Sequence, residues 1–92
     1  MIRSFRHKGL RRFHETGSRS GIQPAHAARL RRLLARLDAA SLVSDMAFPG
    51  SDLHPLRAEW EGRWAVDVNG PWRVTFRFEG GHAWEVDDVQ YH

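Results

Sequence analysis

Arg63-Trp-Ala-Val-Asp-Val-Asn-Gly-Pro-Trp-Arg-Val-Thr-Phe-Arg-Phe-Glu-Gly-Gly-His-Ala-Trp-Glu-Val-Asp-Asp88 contains three apolar–polar alternations separated by two turn signals. Trp64, Val66 and Val68 alternate with Arg63, Ala65 and Asp67; Trp72, Val74, Phe76 and Phe78 alternate with Arg73, Thr75, Arg77 and Glu79; Trp84 and Val86 alternate with Ala83, Glu85 and Asp87. A period of two sends one set to a buried face and the other toward solvent. Asn69-Gly70-Pro71 and Glu79-Gly80-Gly81 mark the turns. Register follows from matching the faces, because a slip of one residue turns every side chain over. Val68 set against Trp72 places Val66 opposite Val74 and Trp64 opposite Phe76. Phe78 set against His82 places Phe76 opposite Trp84 and Val74 opposite Val86. Both hairpins are then predicted to have three-residue loops, with Gly81 in the left-handed conformation. The same registers put Arg73 across from Asp67 and Asp87, on a polar face that carries Arg63, Arg73 and Arg77 and is predicted to lie open.

The apolar face needs a cover, and the first half of the chain supplies it. Residues 2–5 alternate and read as a first strand. Residues 7–16 read as a short helix with Leu10 and Phe13 three apart, ended by Gly17. Ser18-Arg19-Ser20-Gly21 is a loop, and Pro24 suits the first turn of a longer helix. In that helix Ala27, Leu30, Leu33, Leu34 and Leu37 form an apolar stripe, with Arg29, Arg32 and Arg36 mostly on its back. Residues 39–52, with Pro49-Gly50-Ser51, read as a connecting loop. The predicted fold is α+β: two N-terminal helices packed on one face of a mainly antiparallel sheet, in the order β-α-α-β-β-β, as a single domain over residues 1–92.

Charge is segregated along the chain. Residues 1–36 carry ten basic side chains against Glu15 alone, a net +9, whereas residues 37–92 carry four basic residues and ten acids, a net −6. A segment so basic repels itself unless a polyanion answers it. Nucleic-acid contact is one reading of the segregation; a solvated basic surface or an acidic protein partner is the other. The absence of cysteine removes disulfides and thiolate metal sites and fits a reducing compartment. No apolar run approaches a membrane span and no leader pattern opens the sequence, so a cytoplasmic protein with no membrane partner is expected.

Chemistry-bearing residues collect in the second half. The run Val89-Gln90-Tyr91-His92 puts a phenol and an imidazole at the end of a strand-like segment, where they either join a site or merely close the strand. In His54-Pro55-Leu56-Arg57 the proline pushes His54 toward an extended conformation. His54, Arg73, Tyr91 and His92 together offer proton acceptors, proton donors and a cation for charge growing on a phosphate. The six histidines show no metal-ligand spacing, and neither a Walker A loop nor a dinucleotide-binding glycine pattern is present, so no metal or other cofactor is expected. Trp60, between Glu59 and Glu61, reads as a packing or loop anchor rather than a stacking platform.

Five segments carry a specific resemblance. The opening Met1-Ile-Arg-Ser-Phe-Arg-His-Lys-Gly-Leu10, Leu53-His-Pro-Leu-Arg57, Glu61-Gly-Arg-Trp64, Trp72-Arg-Val-Thr-Phe76 and the final Tyr91-His92 resemble, in order and spacing, the HigB-type toxins of the RelE/ParE superfamily. The resemblance implies a small RelE-like domain similar to microbial ribonucleases. It also implies the toxin half of a type II toxin–antitoxin module, cleaving mRNA in the ribosomal A site by metal-independent 2′-OH attack. His54, Arg73, Tyr91 and His92 are then the expected catalytic residues. Arg57 and Gln90 would bind substrate, while Lys8, Arg11, Arg12, Arg29, Arg32 and Arg36 would contact rRNA. The expected partners are the 70S ribosome with its mRNA and a HigA-type helix-turn-helix antitoxin. The family pattern commonly ends Asp-Tyr-His, and here Gln90 occupies the position of the aspartate. Two alternatives follow: a ParE-like toxin that binds gyrase without nuclease activity, and a non-catalytic corepressor held by its antitoxin.

Overall fold

The computed structural model describes residues 1–90. Helix α1 spans Lys8–Thr16 and α2 spans Ala27–Ala39; the strands are β1 (His54–Pro55), β2 (Arg63–Asn69), β3 (Trp72–Glu79) and β4 (His82–Gln90). The sheet is antiparallel in the order β1-β2-β3-β4. His7 caps α1 by accepting the Leu10 amide on Nδ1 at 2.9 Å, and Gly17 ends that helix in the left-handed conformation. The predicted α2 stripe is the buried one: Ala27, Leu30, Leu33, Leu34 and Leu37 pack with Leu10 and Phe13 of α1 against Val66, Val68, Val74, Phe76, Ala83 and Val86 of the sheet. Both helices therefore cover one face. The other is left for chemistry.

The N-terminal segment is a parallel flank of β4 and not a full strand. Ile2 bridges Ala83 and Phe5 bridges Val86, through hydrogen bonds that include Arg3 N–H to the Ala83 carbonyl at 2.7 Å and Arg6 N–H to the Val86 carbonyl at 2.9 Å. The predicted order also lacked β1, whose two residues pair with Trp64 and Ala65. Pro55 cannot donate to a ladder, so a strand containing it can only be a short edge.

The first hairpin keeps the predicted pairs Trp64–Phe76, Val66–Val74 and Asp67–Arg73, but its turn is shorter than expected. Asn69 pairs with Trp72 across Gly70-Pro71, and a bulge between Asp67 and Asn69 absorbs the extra residue. Gly70 has a φ of 56°, and the proline ring holds the next φ negative, the sign pattern of a type II′ turn.

The second hairpin departs further. Gly80 and Gly81 take φ values of 61° and 79°, so both central residues of a two-residue type I′ turn are glycine. Glu79 then pairs with His82, Phe78 with Ala83 and Arg77 with Trp84, one residue out of the predicted register. Alone, that slip would turn Val86 to solvent. A bulge restores it: Glu85, at φ 53°, is the extra residue, and beyond it Thr75 pairs with Asp87 and Arg73 with Val89. Ala83 and Val86 are consequently both buried, while Trp84 is turned outward and 37 % exposed. The expected Phe76–Trp84, Val74–Val86 and Arg73–Asp87 pairings do not form.

Candidate active site

Across the sheet from the helices, the polar face is partly roofed, not simply open. The chain returning from β1 ties down through Leu56 N–H to the Arg63 carbonyl at 2.8 Å, then makes a single 3-10 turn at Ala58–Trp60. Leu56 and Trp60 of this segment face Thr75, which, like Ala65, is buried although it lies on the polar side of its strand. The result is a cavity of about 300 Å³ lined by Leu56, Trp60, Thr75, Val89 and Gln90.

Ion pairs tie down the arginines of the same face. Arg73 Nε lies 2.8 Å from Asp67 Oδ1, and its Nη1 donates to the Gly70 carbonyl. On the other side Glu85 is shared, 3.2 Å from Arg63 Nη2 and 2.9 Å from Arg77 Nε. The three arginines predicted to lie open are thus held by acids of the same face. Arg73 pairs with Val89, one of the residues that line the cavity.

His54 pairs with Ala65, which pairs with Thr75. One rung therefore runs from the imidazole's strand to the cavity floor, about 10 Å across two inter-strand spacings. Asp52, in the left-handed conformation at φ 48°, presents its carbonyl 2.7 Å from His54 Nδ1. A carbonyl only accepts, so Nδ1 donates to it, and in the neutral tautomer the lone pair is then on Nε2.

Gln90 ends β4, exposed, opposite Trp72 and on the cavity wall. Nearby Asp88 offers no ready substitute for a carboxylate there: burial pushes its carboxyl above the ordinary range, against the opposing influence of His7 and His26. Arg57 is exposed at the start of the 3-10 turn. Tyr91 and His92 lie outside the described residues. His54 and Arg73 belong to the polar face through the His54–Ala65–Thr75 rung and the Arg73–Val89 pair, and Gln90, one residue on and opposite Trp72, lines the cavity from the end of β4.

The basic residues of the helices do not form one surface. Lys8, Arg11 and Arg12 line a shallow concavity of about 330 Å³ on α1 with Glu15 and Thr16, and Arg11 pairs with Glu15 at 3.3 Å. Arg32 is exposed. Arg36 lies 4.3 Å from the centroid of the Phe48 ring. Arg29 is spent internally, donating from Nη2 to the Gly50 carbonyl at 2.8 Å and the Asp67 carbonyl at 3.3 Å. It ties down the residue whose carboxylate holds Arg73.

Sequence reasoning missed the cavity lining of Leu56, Thr75 and Val89. Trp60, read as a packing or loop anchor, is 43 % exposed and lines the cavity from the 3-10 turn. The flanking glutamates were the available signal, since a residue between two charges on a short turn is held near solvent.

Comparison with known proteins decides the family. A model of the HigB-like toxins, described as RelE-like toxins of the type II toxin–antitoxin system HigB, matches residues 3–92. The chain belongs to this family. Among its relatives is the endoribonuclease HigB of Proteus vulgaris, 36 % identical over 92 residues and covering all of both chains. The two helices on one face of an antiparallel sheet fit the RelE-like toxin fold. As a HigB-like toxin of a type II module, the chain has an antitoxin as its partner. Among the described residues no helix is long and apolar enough to cross a membrane.

Proposed function

We propose that this HigB-like toxin is a ribosome-dependent endoribonuclease of 92 residues, one domain acting in the cytoplasm to stop translation. The observation that supports the chemistry is the Asp52 carbonyl 2.7 Å from His54 Nδ1, which in the neutral imidazole leaves Nε2 free to take a proton. The endoribonuclease named in the Proteus vulgaris relative supports the same reaction. His54 or His92 removes the proton from a ribose 2′-OH; the oxygen attacks the adjacent phosphorus, and the P–O5′ bond breaks as the other acid–base group protonates the leaving oxygen. The products are a 2′,3′-cyclic phosphate and a 5′-OH. Arg73, fixed by Asp67 beside the cavity, stabilises charge on the phosphoryl oxygens. Arg57 holds a flanking phosphate, and Tyr91 stacks on or orients a nucleotide. Lys8, Arg11, Arg12, Arg32 and Arg36 dock on rRNA of the 70S ribosome, which supplies the mRNA positioning that so small a chain lacks. The antitoxin is of the helix-turn-helix HigA type.

Gln90 is the departure from the family pattern, and it tests how much the site needs a third acid–base group. Glutamine hydrogen-bonds but does not exchange protons at neutral pH. If His54 and His92 suffice, Gln90→Asp changes the rate of cleavage on programmed ribosomes by less than about tenfold, well below the roughly 10²–10⁴-fold range of one acid–base contribution. A gain of several orders of magnitude would instead make the native protein an attenuated toxin, and its role as an antitoxin-bound corepressor would come forward.

A further inference from the structure

A second concavity adjoins the first and shares its wall. It has a volume of about 320 Å³ and is lined by Arg6, Glu59, Trp60, Arg63 and Arg77. Trp60 stands between this hollow and the cavity over Thr75. We infer that Trp60, with Arg6, Arg63 and Arg77, forms a second nucleotide subsite, which stacks one base of single-stranded RNA on the indole and holds its phosphate on the guanidinium groups.

Four observations carry this. The indole is 43 % exposed, and the Arg63 guanidinium carbon lies 6.0 Å from its centroid, so a cation backs the ring. Arg63 is only 7 % exposed, and its Nη1 has no hydrogen-bond partner among the described residues. A buried donor left without an acceptor is costly, so this guanidinium is held beneath the hollow with a hydrogen-bonding capacity still to be met. Arg77 is fixed in advance: Glu85 holds its Nε at 2.9 Å, Glu79 lies 3.9 Å from its Nη1, and a Cβ at Gly62 would come within 3.2 Å of Nη1. Arg6 is exposed on the rim and adds a third cation against Glu59. An aromatic plane beside three guanidinium groups, two of them preset by Glu85, matches a nucleotide, whose base stacks while its phosphate meets the remaining N–H donors. An acidic protein segment would use the arginines but leave the indole idle.

The subsite rests on the nuclease reading for its place beside the scissile phosphate, yet binding tests it without any cleavage. The probe is a fluorescein-labelled 2′-O-methyl RNA hexamer, which has no free 2′-OH to attack, followed by polarisation at low salt. Trp60→Ala is expected to weaken binding about tenfold and Trp60→Phe by less than about threefold, as the loss and the partial retention of one stack would do. Arg6→Ala is expected to reduce the slope of log affinity against log salt by roughly one. Equal binding by Trp60→Ala and the intact protein, or no binding by the intact protein, would overturn the subsite. The two readings separate cleanly. Cleavage on ribosomes with Trp60-independent hexamer binding removes the subsite alone, whereas Trp60-dependent binding without cleavage removes the nuclease alone.

Discussion

Replacing His54 by alanine is expected to lower mRNA cleavage by roughly 10²–10⁴-fold, the usual contribution of one positioned acid–base group. The loss should fall on kcat, because the imidazole acts on a proton that moves only in the transition state. Stability should change little. The side chain is about one-third exposed, at 36 %, and among the described residues its hydrogen bond goes to the Asp52 carbonyl. A melting temperature near that of the intact protein, measured beside the single-turnover rate, would separate chemistry from folding. A variant that retained cleavage within about tenfold would take His54 out of the proton-transfer role and leave the terminal residues to carry it.

Reversing Arg11, Arg12 and Arg32 together to glutamate is expected to reduce ribosome affinity at least about a hundredfold at moderate salt, because each lost cation forgoes a phosphate contact and its released counterions. The fold should survive. All three residues are exposed, and the Arg11–Glu15 pair is a surface contact on one helix, worth under about 1 kcal/mol. Arg29 is left out deliberately, because its bonds to the Gly50 and Asp67 carbonyls make it part of the support for Arg73. Unchanged affinity in sedimentation with 70S ribosomes would contradict docking through the helices.

What the sequence made legible, and what it hid, follows from how many local solutions each segment allowed. The α2 stripe had a single helical reading, and all five of its apolar residues are buried. The first hairpin was over-determined by large apolar residues on both strands, so its pairs survived a turn shorter than expected. The second hairpin had two solutions. Adjacent glycines permit a type I′ turn, and only a bulge at Glu85 then returns Val86 to the core; nothing in a period-two pattern announces a bulge. The site divides the same way. His54 and Arg73 were visible from residue type and flanking sequence. Trp60, Thr75 and Leu56 were not, because the overhang that joins them depends on the β1–β2 pairing and the 3-10 turn. Arg29 illustrates the opposite error: a cation on the back of a helix stripe looks solvated, yet here it reaches two loop and strand carbonyls.

The central claim is tested most directly by incubating 70S ribosomes, programmed with an mRNA and holding an empty A site, with the intact protein and with a variant lacking His92. Cleavage at the A-site codon by the intact protein, absent without ribosomes and reduced by orders of magnitude on loss of His92, is the predicted result. Folded, intact protein that leaves the mRNA whole would contradict it and make the chain a toxin that acts by binding alone.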